Sequence, residues 1–183
     1  MNRQEALKQV KANIENQNLV KHMLATEAIM KALARRLGQD ETKWGLTGLL
    51  HDIDMELCGG DMNTHSKLAS DLVREMGLEE EISNAILRHN EHHGIAPATG
   101  LDRGLFCADA LTGLITTTAL VRPDKKIDSV ELKSLKKKYR EKGFAAGVNR
   151  SQIETCADLG LELDEFLELG LDAMKSISED LGL

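Results

Sequence analysis

Residues 105–115 read LFCADALTGLI, so a single carboxylate, Asp109, sits inside an otherwise apolar run. The run shows no strand-like alternation and is long enough for a buried helix. A carboxylate there is costly unless it pairs with a buried Arg or Lys or binds a metal. Whatever fold the chain adopts must therefore bring a partner to Asp109.

The rest of the sequence points to helices. Leu, Ala, Glu and Lys dominate, only two prolines occur, and aromatics amount to one Trp, one Tyr and three Phe. That composition favours helix over sheet. A length of 183 residues suits one domain with a real core. The expected fold class is all-α, a single domain spanning 1–183. Amphipathic spacing and breaker residues predict helices over 2–16, 18–37, 40–53, 64–77, 79–93 and 101–121. A short basic helix is expected over 128–140, then a loop through GFAAGVNR, then helices near 150–159 and 163–181. The expected core is 18–121, with a basic and helical extension over 122–183.

All six histidines lie in the first half of the chain, at 22, 51, 65, 89, 92 and 93. His22 shares a helical face with Ala25, Ile29 and Leu33, and His65 shares one with Leu68, Ala69 and Leu72. His89 follows Ala85 and Ile86 on a core-facing stripe. His92 or His93, three and four residues later, is expected to join it. His51-Asp52 directly follows the apolar stretch LTGLL, and a helix-end pair facing solvent is the other reading of that dipeptide. Any one of these residues has an ordinary structural explanation. Together they place four or five imidazoles and two carboxylates on inward faces of five helices, which is a ligand set for a transition metal.

The order His22, then His51-Asp52, then Asp109 resembles the HD superfamily of metal-dependent phosphohydrolases. The stretches GLLHDID, ILRHNEHHG, ADALTGLI, ALVRPDKK and KGFAAGVNR resemble a small bacterial HDIG-type group within it. The resemblance implies an HD-type helical bundle in which His22, His51, Asp52 and Asp109 bind one ion. His65, His89 and His92 or His93 resemble the ligands of a second ion in HD-GYP phosphodiesterases and HD-type diadenosine tetraphosphate hydrolases, with Asp52 bridging. The implied cofactor is one or two divalent ions among Fe, Mn, Zn, Ni and Co. The implied reaction is hydrolysis of a phosphate ester or anhydride in a nucleotide or similar small phosphorylated compound. A non-catalytic sensor with the same fold is the alternative. Where many relatives carry Lys or Glu just beyond the HD pair, this sequence reads HDIDME with Met55 in that place. Asp54 is expected to substitute, as a catalytic proton acceptor beside Asp52 or as a partner to a ligand.

Charge bears on the substrate. The net charge is −7, which argues against nucleic-acid binding driven by bulk charge. Residues 122–142 nevertheless hold nine Lys/Arg against four Asp/Glu, a local +5 that leaves −12 elsewhere. Arg122, Lys142 and Arg150 are the expected substrate-binding cations, with Gly143 and Gly147 freeing backbone N–H groups for phosphate. The three cysteines form no CxxC pair, and the N-terminal stretch is polar. Both fit a reduced, cytoplasmic protein with neither signal peptide nor membrane span. The C-terminal helices are expected either to cover the core or to build a homodimer.

Overall fold

The computed structural model describes residues 1–183, and every regular element is helical. The main helices are α1 (Arg3–Asn13), α2 (Gln17–Leu37), α3 (Glu41–Leu50), α4 (Lys67–Glu75) and α5 (Glu80–His89). They continue with α6 (Gly100–Leu120), α7 (Leu132–Arg140), α8 (Arg150–Glu154), α9 (Leu163–Lys175) and α10 (Ser178–Leu181). Short 3₁₀ turns occupy Glu91–His93, Ile127–Ser129 and Thr155–Leu159.

Side-chain caps set several of the starts. Asp40 accepts from the backbone N–H groups of Thr42 and Lys43, opening α3. Thr99 and Asp102 form a reciprocal capping box on α6, and Asp102 also takes an ion pair from Arg88 at 2.6 Å. Gly38 ends α2 in the left-handed region at φ 66°, where a side chain would be strained.

Helix α6 is the axis of the molecule. It packs on α2, α5, α7, α8 and α9 and buries Leu105, Leu111, Leu114 and Ile115 completely. The C-terminal α9 lies against both α2 and α6, with Phe166 and Met174 in the core. The C-terminal α9 thus covers the core, one of the two roles expected for this part of the chain. Helices α2 and α3 approach closely at Gly48, where a Cβ would lie 2.9 Å from the Thr26 carbonyl. Only glycine lets the backbones come that near, and this closeness brings His22 and His51 within reach of each other. No helix is long and apolar enough to cross a membrane.

Among the boundaries that differ from the sequence expectation, three lie beside the candidate site. The helix expected over 40–53 stops at Leu50, and His51 to Gly60 run on as turns. The helix expected from 64 starts only at Lys67. Ser66 is held at φ 68° because its N–H donates to Asp54 Oδ2 and its hydroxyl donates to the Leu87 carbonyl. The helix expected over 79–93 ends at His89. Asn90 breaks it, donating from Nδ2 to the carbonyls of Met62 and His65 and accepting the His92 N–H.

Candidate metal centre

Four histidines converge on two carboxylates. His51 and Asp52 leave the C-terminal end of α3, His22 comes from α2, Asp109 from α6, and His89 from the last turn of α5. His65 arrives from the turn before α4. His22 Nε2 lies 3.1 Å from His51 Nε2, 3.0 Å from Asp109 Oδ1 and 3.4 Å from Asp52 Oδ2. His51 Nε2 is 3.4 Å from Asp52 Oδ1 and 3.7 Å from Asp109 Oδ1. On the other side, His65 Nε2 and His89 Nε2 approach Asp52 Oδ1 at 3.4 and 3.3 Å. Asp52 thus turns one oxygen toward His22 and the other toward His51, His65 and His89.

The far nitrogen of every ring is engaged. His51 Nδ1 donates to the Gly48 carbonyl and His89 Nδ1 to the Ile86 carbonyl, each three residues back. His65 Nδ1 donates to Asp54 Oδ1 at 2.8 Å. His22 Nδ1 meets the Thr112 hydroxyl, whose proton goes to the Asp109 carbonyl. A ring that donates from Nδ1 presents Nε2 as the free ligand nitrogen, and such outer hydrogen bonds fix ring orientation at metal sites.

The donor set fits a divalent transition metal. Ligand atoms around an ion with bonds near 2.1 Å are separated by roughly 3.4 Å in a tetrahedron, and the separations here fall on either side of that. His22, His51, Asp52 and Asp109 would hold one such ion. His51, Asp52 and His89 form a second compact group of donors that overlaps the first.

Electrostatics agree. Burial disfavours a charged His22, but hydrogen bonds to Asp109 and Asp52 and the charges of both carboxylates outweigh it. They raise the imidazolium from its ordinary 6.5 to about 10. Burial also pushes the Asp52 carboxyl up, yet the charge of His51 and hydrogen bonds from His22 and His89 hold it well below the usual carboxylate range. Asp109 is lowered against its own desolvation by His22 and His51. At pH 8 the metal-free protein therefore keeps a proton on His22 that an ordinary histidine would have lost. An ion held there would need that nitrogen's lone pair, so loading at pH 8 is expected to release about one proton per chain from His22. Release should fade as the pH rises past about 10, where His22 is already neutral. Calorimetry in buffers of different ionisation enthalpy measures this directly, and release near zero at pH 8 would show that His22 carries no such proton.

Several residues stand elsewhere than the sequence suggested. Asp109 is not sealed in the core: its side chain is 29% exposed and faces a cavity of about 290 Å³. Asp54 is fully buried and accepts from His65 Nδ1 and from the Ser66 and Ala69 N–H groups. With both oxygens so engaged it is not placed to reach a substrate proton, and it serves instead to orient the His65 ring. His92 and His93 are turned away by the Asn90 break. His92 Nε2 meets the Asn63 side chain, and His93 Nε2 donates to the His65 carbonyl.

The expected substrate cations also fall elsewhere. Arg150 spends its guanidinium on the carbonyls of Tyr139, Glu141, Phe144, Ala145 and Val148, tying down the 141–149 loop. Arg122 binds Ser129 beyond the end of α6, about 20 Å along the helix from Asp109 at 1.5 Å per residue. Lys142 is exposed and makes no hydrogen bond or ion pair. None of the three lines the cavity at Asp109. The basic residues that do share a face, Lys133, Lys136, Lys137 and Arg140 of α7, border a separate open groove.

The cavity at His22 and Asp109 is instead bordered by Glu91, Gly113, Gly147, Asn149 and Gln152. Asn149 Nδ2 donates to Glu91 Oε2 at 3.0 Å, joining the Arg150-held loop to the 3₁₀ turn after α5. The sequence expectation passed over all of these polar residues. Their only signal was position: Glu91 within HNEHHG, and Asn149 beside Arg150.

Comparison with known proteins agrees with this centre. The HD domain family model matches residues 19–114, the segment that carries all six converging residues. Ribonuclease Y of Thermotoga maritima is 31% identical over 181 residues, covering 90% of this chain and 33% of that protein. Ribonuclease Y of Oleidesulfovibrio alaskensis is 30% identical over 98 residues, covering 54% and 18%. Ribonuclease Y of Staphylococcus epidermidis is 25% identical over 175 residues, covering 90% and 32%. The chain spans about a third or less of the length of these curated relatives. No solved structure matches it at a comparable level of significance. With a family match over more than half its length, and the His22, His51-Asp52 and Asp109 side chains brought together, the chain belongs to the HD domain family.

Proposed function

We propose that the chain is a metal-dependent phosphohydrolase that cleaves a phosphate ester or anhydride bond in a nucleotide or similar small phosphorylated compound. The observation that carries this reading is the set of four Nε2 atoms aimed at Asp52 and Asp109 beside an open cavity. A structural ion needs only four closed ligands, whereas this centre gathers six and leaves Asp109 partly open. A divalent ion held there lowers the pKa of a bound water toward neutrality and offsets charge on phosphate oxygens.

The chain's own residues supply the rest. Asp52, with Oδ2 toward His22 and Oδ1 toward His51, His65 and His89, is placed to serve two ions, which we propose as the working state. His65 and His89 complete the second half, each held by its Nδ1 hydrogen bond. Glu91 is the carboxylate of the cavity that lies outside the converging cluster, and Asn149 engages only its Oε2. It takes the proton-handling role first expected of Asp54. Asn149 and Gln152 offer amide groups to the substrate at the cavity wall.

The curated relatives are named as ribonucleases, so short RNA belongs in the substrate panel. We favour a small substrate, because the basic face of α7 borders neither the cluster nor its cavity. The test is an assay of the purified protein loaded with Mn, Fe, Co, Ni or Zn. Nucleotides, dinucleotides, simple phosphate esters and short RNA should be compared. Metal-dependent release of phosphate or of a nucleotide is expected. Stoichiometric metal binding with no hydrolysis across the panel would favour the non-catalytic sensor.

A further inference from the structure

Helix α7 anchors on the core through Leu135, which is fully buried. Along its outer surface Lys133, Lys136, Lys137 and Arg140 recur at steps of three and four. Like charges at those spacings repel one another, so this face stands at a local electrostatic cost. Carboxylates relieve only part of it. Lys136 pairs with Asp164 and Lys138 with Glu141, while Lys133, Lys137 and Arg140 pair with none. By contrast, Arg3, Arg35, Arg36, Arg74 and Arg88 each pair with a carboxylate. A solvated run of lysines needs no ligand. In a chain with 30 Asp and Glu, however, three neighbouring cations left without any carboxylate are an incomplete charge balance.

These cations border an open groove of about 690 Å³, together with Leu132 and Glu141. A second groove, of about 370 Å³, shares Lys137 with the first. Arg122, Lys138, Val121, Pro123 and Ser134 also line it. Val121 is 58% exposed, so with Pro123 it forms an uncovered apolar ledge beside the cations. The Ser134 hydroxyl has no hydrogen-bond partner in the chain. Both grooves fall in the size range of small-molecule sites, and neither shares a residue with the cavity at Asp109.

We propose that the α7 grooves are a binding site, separate from the metal centre, for a small compound that carries a chain of phosphate groups. Lys133 and Arg140 lie about 10 Å apart along the helix at 1.5 Å per residue, which is more than one phosphate spans. The phosphate chain lies against Lys133, Lys137 and Arg140. An organic group attached to it lies in the adjoining groove against Val121 and Pro123, near Ser134 and Arg122. The ligand is compact because residues outside 122–142 carry −12, which repels a long polyanion that runs past the patch. Binding here requires no ion in the metal centre and no hydrolysis, so it stands or falls apart from the hydrolytic reading.

The test is calorimetric titration of the metal-free full chain with tripolyphosphate, ATP, orthophosphate and a short single-stranded oligoadenylate at low ionic strength. Tripolyphosphate or ATP is expected to bind one per chain, at least about ten-fold more tightly than orthophosphate. The double variant Lys133→Glu/Lys137→Glu should weaken that binding by about ten-fold or more. Lys142→Glu reverses an exposed cation outside both grooves and should leave it nearly unchanged. Thermal melting of each variant verifies the fold. ATP binding more tightly than tripolyphosphate supports a nucleoside seated at Val121 and Pro123. Equal binding supports the phosphate chain alone as the ligand. Affinity unmoved by the double variant, equally lowered by Lys142→Glu, or no better than that of orthophosphate would overturn the site. Tighter binding of the oligoadenylate than of tripolyphosphate would overturn the small ligand in favour of a nucleic-acid surface.

Discussion

Asp52→Asn is expected to weaken metal binding by more than about 100-fold and to lower kcat/KM by at least about 10³-fold. Loss of an outer partner of a metal ligand typically costs 10–100-fold in affinity, and Asp52 stands in the cluster itself. Its Oδ2 faces His22, and its Oδ1 faces His51, His65 and His89. An amide of the same shape keeps the packing, removes the charge and turns one donor NH₂ toward rings that present bare nitrogens. The fold should survive, because the side chain is nearly isosteric and α6 carries the core independently of it. Metal content per chain and steady-state kinetics measure the two effects. A variant that keeps both metal and rate would remove Asp52 from the centre.

Asp54 should divide its effects between stability and metal affinity. Asp54→Ala orphans three buried donors: His65 Nδ1–H and the Ser66 and Ala69 N–H groups. Each unsatisfied buried donor costs about 1–3 kcal/mol, so a loss on the order of 3 kcal/mol is expected. At roughly 2–4 °C per kcal/mol for a chain of this size, the melting temperature should fall by about 10 °C. Asp54→Asn can still accept the two backbone N–H groups through its carbonyl oxygen, but its NH₂ cannot accept from His65. It should therefore keep most of the stability while losing about 10–100-fold in metal affinity. A pure loss of kcat in Asp54→Asn, with melting and metal content unchanged, would instead make Asp54 a proton carrier.

How far the sequence could be read depends on the range of the interactions involved. His22, His89 and Asp109 were legible because each lies in a helix whose apolar residues fix where its face points, and His51 because it directly follows the apolar end of α3. Glu27, buried on α2 and paired with Arg3 and Lys31, shows that such placement alone does not mark a site. What distinguishes the candidate metal centre is the convergence of several helices. The role of Asp54 was half legible, since its dependence on Ser66 and Ala69 arises only when the turn before α4 forms. The same turn places His65, so the helical stripe first drawn through it was the wrong reason for an inward orientation. His92 and His93 were misplaced because Asn90, an unremarkable residue in the sequence, finds carbonyl partners 25 and 28 residues away. Arg150 looked like a phosphate ligand because five carbonyls gathered by a loop leave no mark on composition.

The central claim is that His22, His51, Asp52 and Asp109 hold a catalytic ion, with His65 and His89 completing the centre. Anomalous diffraction at the absorption edge of the metal, on crystals of the loaded protein, tests it most directly. The expected result is a peak bounded by His22 Nε2, His51 Nε2 and Asp109, and a second between Asp52, His65 and His89, both lost in Asp52→Asn. No peak inside the cluster at saturating metal, or a peak confined to surface carboxylates, would contradict it.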